Sequence, residues 1–299
     1  MTPSSHQTTA WAEITVSLSP VAYEAAAAFL FDLGCNGLAF AQDDASTLKA
    51  YLPLPADLNA LKTGILSFLR ELEKIFPEVG TPDVTVTRLR QGDWAEGWRR
   101  FFRPLRATPR LLILPAWEPA HPAEEGEVIL MDPGPAFGTG RHATTRMCLL
   151  AMERASLPDP WSLLDVGTGS GILAIYGAKL GAGRIAAIDL DPDAILWARR
   201  NIDLNGLHGR IRLSTGTPDG LQGPFTMVVA NLTLAAILPL LPAFSRLVHP
   251  DGWLILSGLL RNQVGSVREG LKEQGFRLGR VMHRQEWACL VTGRKGKGH

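Results

Sequence analysis

A carboxylate and three glycines alternate at Asp165, Gly167, Gly169 and Gly171, and a second carboxylate follows at Asp189. Leu163-Leu164 reads as the end of a buried strand entering this turn, and residues 172–180 are helix-like. After Gly181-Ala182-Gly183, a β-type run at 184–188 ends on Asp189. A strand, a glycine turn, a helix and a second strand closing on an acid make a nucleotide-binding βαβ unit. The glycines let the backbone approach a ligand, the helix N-terminus offers unpaired N–H groups, and Asp189 is spaced to accept two ribose hydroxyls. A dinucleotide fingerprint needs its last glycine at the sixth position of the turn. That position is Ile172, and Gly171 comes one residue early, which argues against a pyrophosphate seat and a nicotinamide-dependent oxidoreductase.

The elements around this unit continue an α/β alternation. Apolar runs at 111–114 and 128–131 precede the Pro- and Gly-rich stretch 132–142, whose glycines surround Phe137 and suit a loop over a ligand. Thr144 or Thr145 can cap the helix that follows, through about residue 153. Beyond Asp189, Asp191-Pro192 reads as the N-cap and first position of a helix through 204. Strands at 211–213, 225–230 and 253–257, helices ending at 247 and spanning 263–274, and two closing strands ending near 287–291 complete a mostly parallel sheet. Ligands of such sheets bind at the carboxyl ends of the strands, where the glycine turn, Asp189 and Asn231 all fall.

Upstream, residues 13–18, 37–41, 47–52 and 84–89 read as strands, and 20–33 and 56–76 as helices. The order βαββαβ is the split βαβ sandwich of ferredoxin-like domains. The expected division is a small α+β ferredoxin-like domain at 1–90, a connecting amphipathic helix at 91–105 carrying Trp94 and Trp98, and an α/β domain at 106–299. Acids outnumber bases up to Asp83, a charge bias that suits recruitment of a basic protein.

The 299 residues suffice for two domains, and 46% hydrophobic with 20% charged residues describes a globular chain with a substantial core. A net charge of +1 argues against a dedicated nucleic-acid binder. Cys35, Cys148 and Cys289 are dispersed, with no metal-ligand or disulfide spacing. The N-terminus lacks a signal peptide, and the most apolar window, 228–244, is broken by Asn231, Thr233, Pro239 and Pro242. The expectation is a cytoplasmic monomer with no metal and no membrane segment.

D-x-G-x-G-x-G at 165–171 resembles motif I of class I methyltransferases, in which the loop packs against the amino-acid end of S-adenosylmethionine (AdoMet). From about 11 to 294 the chain closely resembles the PrmA family, the methyltransferases of ribosomal protein L-eleven. The matching segments include DWAEGWRRFFRP at 93–104, LLILPAW at 111–117, DPGPAFGTGRHATT at 132–145, LLDVGTGSGILAI at 163–175, AIDLDPDAI at 187–195, VVANLTL at 228–234, LSGLL at 256–260 and EWACLV at 286–291. The resemblance implies a Rossmann-like methyltransferase domain and an N-terminal domain that binds the ribosomal protein. It implies AdoMet contacts at Thr144, Thr145, Asp165, Gly167, Gly169, Gly171, Asp189 and Asn231, with Phe137 and His142 beside the reactive methyl group. It further implies methylation of lysine side chains and the N-terminal α-amine, up to trimethylation.

Such a transfer needs a neutral amine, which costs about 4.6 kcal/mol for an ordinary lysine at pH 7 and about 1.4 for an α-amine. A sulfonium and a partly desolvated pocket lower that cost, so positioning of the nitrogen by Asn231 can carry the catalysis. The alternative readings are a lysine methyltransferase for another protein and a ribosome-associated module that binds AdoMet without turnover.

Overall fold

The computed structural model of the chain describes residues 11–19, 22–35, 38–40, 47–53, 57–75, 81, 83–89, 103–118, 126–132 and 138–293. Phe137, Trp94, Trp98 and nearly all of the expected connecting helix lie outside these residues. The chain divides into two compact units, Met1–Arg103 and Pro104–His299.

In the first unit, β1 (Trp11–Ser17), α1 (Tyr23–Asp32), β2 (Leu38–Phe40), β3 (Thr47–Pro53), α2 (Leu58–Ile75) and β4 (Asp83–Leu89) follow the βαββαβ order read from the sequence. The sheet runs β2-β3-β1-β4 and is antiparallel throughout. Strand alternation explains its sidedness. Ala12, Ile14 and Val16 are buried with Leu48, Ala50 and Val84, and Ile65 and Leu69 of α2 close over them. Helix α1 adds Ala26 and Leu30, and Phe29 stacks on Phe68 with ring centroids 3.9 Å apart. Among the acids of this unit, Glu13 is neutralised across the strands: Lys49 Nζ donates to it at 2.9 Å and the Tyr51 hydroxyl at 3.1 Å.

The second unit opens with a small sheet of β5 (Leu105–Thr108), β6 (Leu111–Pro115) and β7 (Glu127–Met131), followed by α3 (Ala143–Arg154). Strand β5 has no counterpart in the sequence reading. It is four residues long with an arginine inside, too short to show alternation, and Leu105 opens this strand rather than closing a helix.

The main sheet is built from β8 (Ser162–Val166), α4 (Ile172–Lys179), β9 (Arg184–Asp189), α5 (Pro192–Leu204), β10 (Ile211–Thr215), β11 (Phe225–Asn231), α6 (Leu234–Leu247), β12 (Val248–Leu260), α7 (Val264–Glu273), β13 (Arg277–Arg284) and β14 (Trp287–Gly293). Its order is β10-β9-β8-β11-β12-β14-β13, parallel except for β14, which inserts antiparallel between β12 and β13. Alternation along each strand sorts its residues between two cores. Leu163, Ile185, Met227, Val229 and Ile255 face a cluster with α3 and α4; Leu164, Ala186, Val228, Ala230 and Leu254 face one with α6 and α7. The chain turns back between β8 and β11, so the strand order reverses there, and the carboxyl ends of β8, β9 and β11 form the crevice where doubly wound sheets bind ligands. No helix among the described residues is long and apolar enough to cross a membrane.

Strand β12 extends well beyond the expected 253–257, because His249-Pro250-Asp251-Gly252 has turn composition yet joins the strand. Its pairing with β14 is irregular between Leu256 and Leu259, and Gly258 sits in that bulge with φ +86°. A Cβ there would lie 2.4 Å from the Leu232 carbonyl oxygen, which belongs to the turn leaving β11. The Gly258→Ala variant should therefore lose about 2 kcal/mol or more of stability, read as a lowered thermal midpoint; an unchanged midpoint would contradict this packing.

Candidate active site

The glycine turn between β8 and α4 folds back onto the end of β9. The amides of Gly167 and Thr168 both donate to the Ile188 carbonyl at 2.9 Å. Gly167, Gly169 and Gly171 all have positive φ, at 72°, 52° and 83°. Gly171 is also where helices meet, since a Cβ on it would stand 3.2 Å from Ala198 Cα of α5. The Gly169 amide donates to Asp189 Oδ2 at 2.9 Å, and the Asp191 amide to Oδ1 at 3.1 Å. Two backbone amides thus fix the half-buried Asp189 carboxylate, and each oxygen keeps a lone pair for a ligand hydroxyl. Asp191 caps α5 with Pro192 at its first position, as the sequence indicates.

Asp165 lies beneath the turn with no exposed surface. The Thr168 hydroxyl donates to its Oδ2 at 2.7 Å, while Oδ1 is buried without a hydrogen-bond partner. Burial is the largest influence and pushes the carboxyl up to about 7; the Thr168 hydroxyl and the Ala174 amide in the first turn of α4 pull it down, and the Asp189 charge raises it further. No cationic side chain among the described residues pairs with it.

Three sequence-predicted residues converge through the first turn of α3. His142 is its N-cap, with extended backbone (φ −66°, ψ 144°). The Nδ1 atom of His142, attached to Cγ as the capping oxygen of an asparagine is, accepts from the Thr144 amide at 3.4 Å and lies 2.7 Å from the Thr144 hydroxyl. The cap is therefore His142 and not Thr144 or Thr145, and both threonines lie inside the helix, each 1% exposed. Burial lowers the His142 pKa and the nearby Glu286 opposes it, so the ring stays neutral at pH 7 and accepts at Nδ1. Its ring meets Trp287 edge-on with centroids 5.0 Å apart.

The Thr145 hydroxyl receives Asn231 Nδ2 at 3.2 Å, which ties the end of β11 to α3. Asn231 Oδ1 is then buried without a hydrogen-bond partner. A buried amide oxygen left in that state is costly, and Asn231 is one of only two residues among those described with such an atom, the other being Asp165. Ser257, level with Asn231 on the neighbouring strand, holds this corner from behind: its Oγ lies 3.2 Å from the Thr144 carbonyl.

The structure thus gathers Asp165, Gly167, Gly169, Gly171 and Asp189 at one side of the strand-order reversal, and Asn231, Thr145, Thr144 and His142 at the other. Phe137 lies outside the described residues. Sequence reasoning passed over Thr168, Ser170, Ser257 and Asn201. Asn201 left a readable trace: it is a polar residue in the buried stripe Ala194, Ile195, Ala198, Ile202 of α5, and a buried amide demands partners.

A doubly wound sheet with an inserted antiparallel strand, a glycine turn without a pyrophosphate fingerprint and an acid ending the second parallel strand define a class I methyltransferase. Residues 10–295 match the ribosomal protein L11 methyltransferase (PrmA) family. The chain belongs to that family. A ribosomal protein L11 methyltransferase of Geobacter metallireducens is 37% identical over 294 residues, covering 94% of this chain and 97% of the relative. One from Geobacter sulfurreducens is 38% identical over 299 residues, covering 96% and 99%. The crystal structure of a ribosomal protein L11 methylase from Lactobacillus delbrueckii subsp. bulgaricus superposes with TM-score 0.61 at 34% identity, covering 65% of this chain and 100% of that one.

The folded-state pKa of Asp165 lies above its ordinary value of 3.8. Between pH about 4 and about 7 the folded chain keeps a proton that the unfolded chain releases, so this group's contribution to stability declines across that window and is lowest above it. Its full cost has an upper bound of ~4 kcal/mol. Asp165→Asn, which keeps the shape without the charge, should flatten the fall of ligand-free stability between pH 5 and 8. Thermal denaturation at several pH values checks this, and an unaltered pH profile would contradict it.

Proposed function

We propose that this chain transfers methyl groups from AdoMet to the lysine side chains and N-terminal α-amine of ribosomal protein L11, through to trimethylation. The observation that carries the reading is the family match from residue 10 to 295, which spans the small unit as well as the α/β unit. In this reading the ferredoxin-like domain expected at residues 1–90 recognises the protein substrate, and the enzyme acts as a cytoplasmic monomer independent of nucleic acid.

The residues present fit AdoMet. A buried carboxylate without a cationic partner suits a ligand that carries an ammonium group and a sulfonium, and Asp165 supplies that carboxylate. Asp189 receives the ribose hydroxyls on its remaining lone pairs, and Gly167, Gly169 and Gly171, which carry no side chains, admit the ligand close to backbone. The family resemblance adds Thr144 and Thr145, in the first turn of α3, to the residues that hold the ligand. When bound, AdoMet supplies an electrophilic methyl group.

The protein's own part is to hold the accepting nitrogen. Asn231 Oδ1, with its amide group anchored on Thr145, accepts a hydrogen bond from the substrate amine and aims its lone pair. The neutral His142 does not compete as a charge, because Nδ1 is engaged in the helix cap. The amine loses its proton on entering a site beside a cationic ligand, where the ammonium form is disfavoured. The family resemblance assigns Phe137 to the reactive methyl group, where an aromatic ring would hold methylated, still cationic products by cation–π attraction.

The test is incubation of the purified protein with L11 and labelled AdoMet, followed by product mass and site mapping. Increments of one to three methyl groups on lysines or the N-terminus are expected. The Asn231→Ala variant should lose about a hundredfold in kcat, a larger loss than any it shows in AdoMet affinity measured separately. AdoMet binding without transfer to L11 would move the activity to another protein, and undiminished turnover by Asn231→Ala would remove that residue from the mechanism.

A further inference from the structure

The segment that precedes α3 is fastened to the glycine turn at two points, and a single residue of the turn takes part in both. Strand β7 pairs with β6 on one edge only. Its other edge presents the Leu130 N–H and C=O and, just past the strand, the Asp132 N–H, groups that an exposed strand leaves open. Helix α5 answers them with side chains in place of a strand. Asn205 accepts from the Leu130 amide at 2.9 Å and donates to the Leu130 carbonyl at 2.7 Å. Asn201, fully buried, accepts from the Asp132 amide at 2.8 Å through Oδ1. Its Nδ2 donates to the Ser170 carbonyl at 2.9 Å, inside the glycine turn.

The same Ser170 reaches the far side of the segment. Its hydroxyl donates to the Gly138 carbonyl at 2.7 Å, and the residue is 2% exposed. Asp132 and Gly138 flank positions 133–137. The backbone carbonyl of Ser170 thus governs one flank through Asn201, and its side chain governs the other directly. Gly138 also requires φ +105°. A Cβ there would stand 3.0 Å from Ser170 Oγ, so the glycine is fitted to this bond. Neither asparagine nor the serine borders the Asn231 corner, and the transfer itself makes no use of them.

We propose that Ser170 and Asn201 are a positioning pair that transmits the seating of AdoMet in the glycine turn to Asp132 and Gly138, and through residues 138–142 to the His142 cap of α3. The inference rests on the AdoMet reading of the turn. Ligand contact at Gly169 and Gly171 immobilises Ser170 between them, and the two hydrogen-bond routes carry that restraint to Asp132 and Gly138. A purely structural pair would stabilise the fold equally with and without the ligand.

Hydrogen exchange on the full chain, with and without AdoMet, separates these cases. In the wild type AdoMet should slow exchange at 165–171 and also at 127–132 and 138–142. Ser170→Ala should keep the protection at 165–171 and lose it at 138–142. Its kcat should fall about tenfold, as for one net hydrogen bond, while its AdoMet Kd changes less than threefold. Ser170→Cys, similar in volume with a weaker donor, should move in the same direction by less. Equal ligand-dependent protection at 138–142 in wild type and Ser170→Ala, or an unchanged kcat, would overturn the pair's role. Absence of protection at 165–171 in the wild type would overturn the AdoMet reading beneath it.

Discussion

The turn between β8 and α4 has to place its backbone within hydrogen-bonding reach of one carboxylate and directly above another, and the remainder of the site is arranged around that demand. The Gly169 amide anchors Asp189, while Asp165 stays buried below with one oxygen unanswered. Glycines at alternate positions, all in positive φ, allow so tight a curve without a side chain at those three positions. The cost of two acids near one another, one of them desolvated, is an unfavourable electrostatic arrangement in the empty protein. A cationic ligand reverses the sign of that arrangement, which is why its cost belongs with function rather than with the fold.

Around this turn, polar side chains replace backbone pairing wherever the sheet architecture ends. The first turn of α3 is capped by His142, joined to β11 through Thr145 and Asn231, and braced by Ser257. The open edge of β7 is closed by Asn205 and Asn201. Each of these bonds is modest alone, about 1 kcal/mol. Their value is geometric, because all of them except the Asn231–Thr145 bond engage backbone groups that cannot rotate away. The two orphaned oxygens, on Asp165 and Asn231, stand on opposite sides of the strand-order reversal. Among the described residues they are the two buried side-chain oxygens without a hydrogen-bond partner, and the proposed function gives them to ligand and substrate.

Much of this was legible in the chain itself. The alternating glycines, the acid at Asp189 and the Asp191-Pro192 helix start are local signals with local causes, and they form a positive-φ turn, the end of β9 and a helix cap. The βαββαβ order of the small unit followed from the period of its apolar residues. What escaped depends on partners remote in sequence. Histidine seldom caps a helix, so the sequence points to the more usual threonines; the difference lies in the backbone angles of His142, which composition does not encode. Asn201 owes its burial to Asp132 and Ser170, and no local pattern names them. Strand β5 is fixed by pairing with β6 and not by its own four residues.

The central claim is that Asp189, held by turn amides, receives the ribose of AdoMet in this crevice. Calorimetric titration of AdoMet into the wild type and an Asp189→Ala variant tests it most directly. One site per chain is expected in the wild type, with affinity about 10- to 100-fold weaker in the variant, the loss that follows when hydrogen bonds to a charged acceptor are removed. Equal affinity in the two proteins, or no heat of binding in the wild type, would contradict the account.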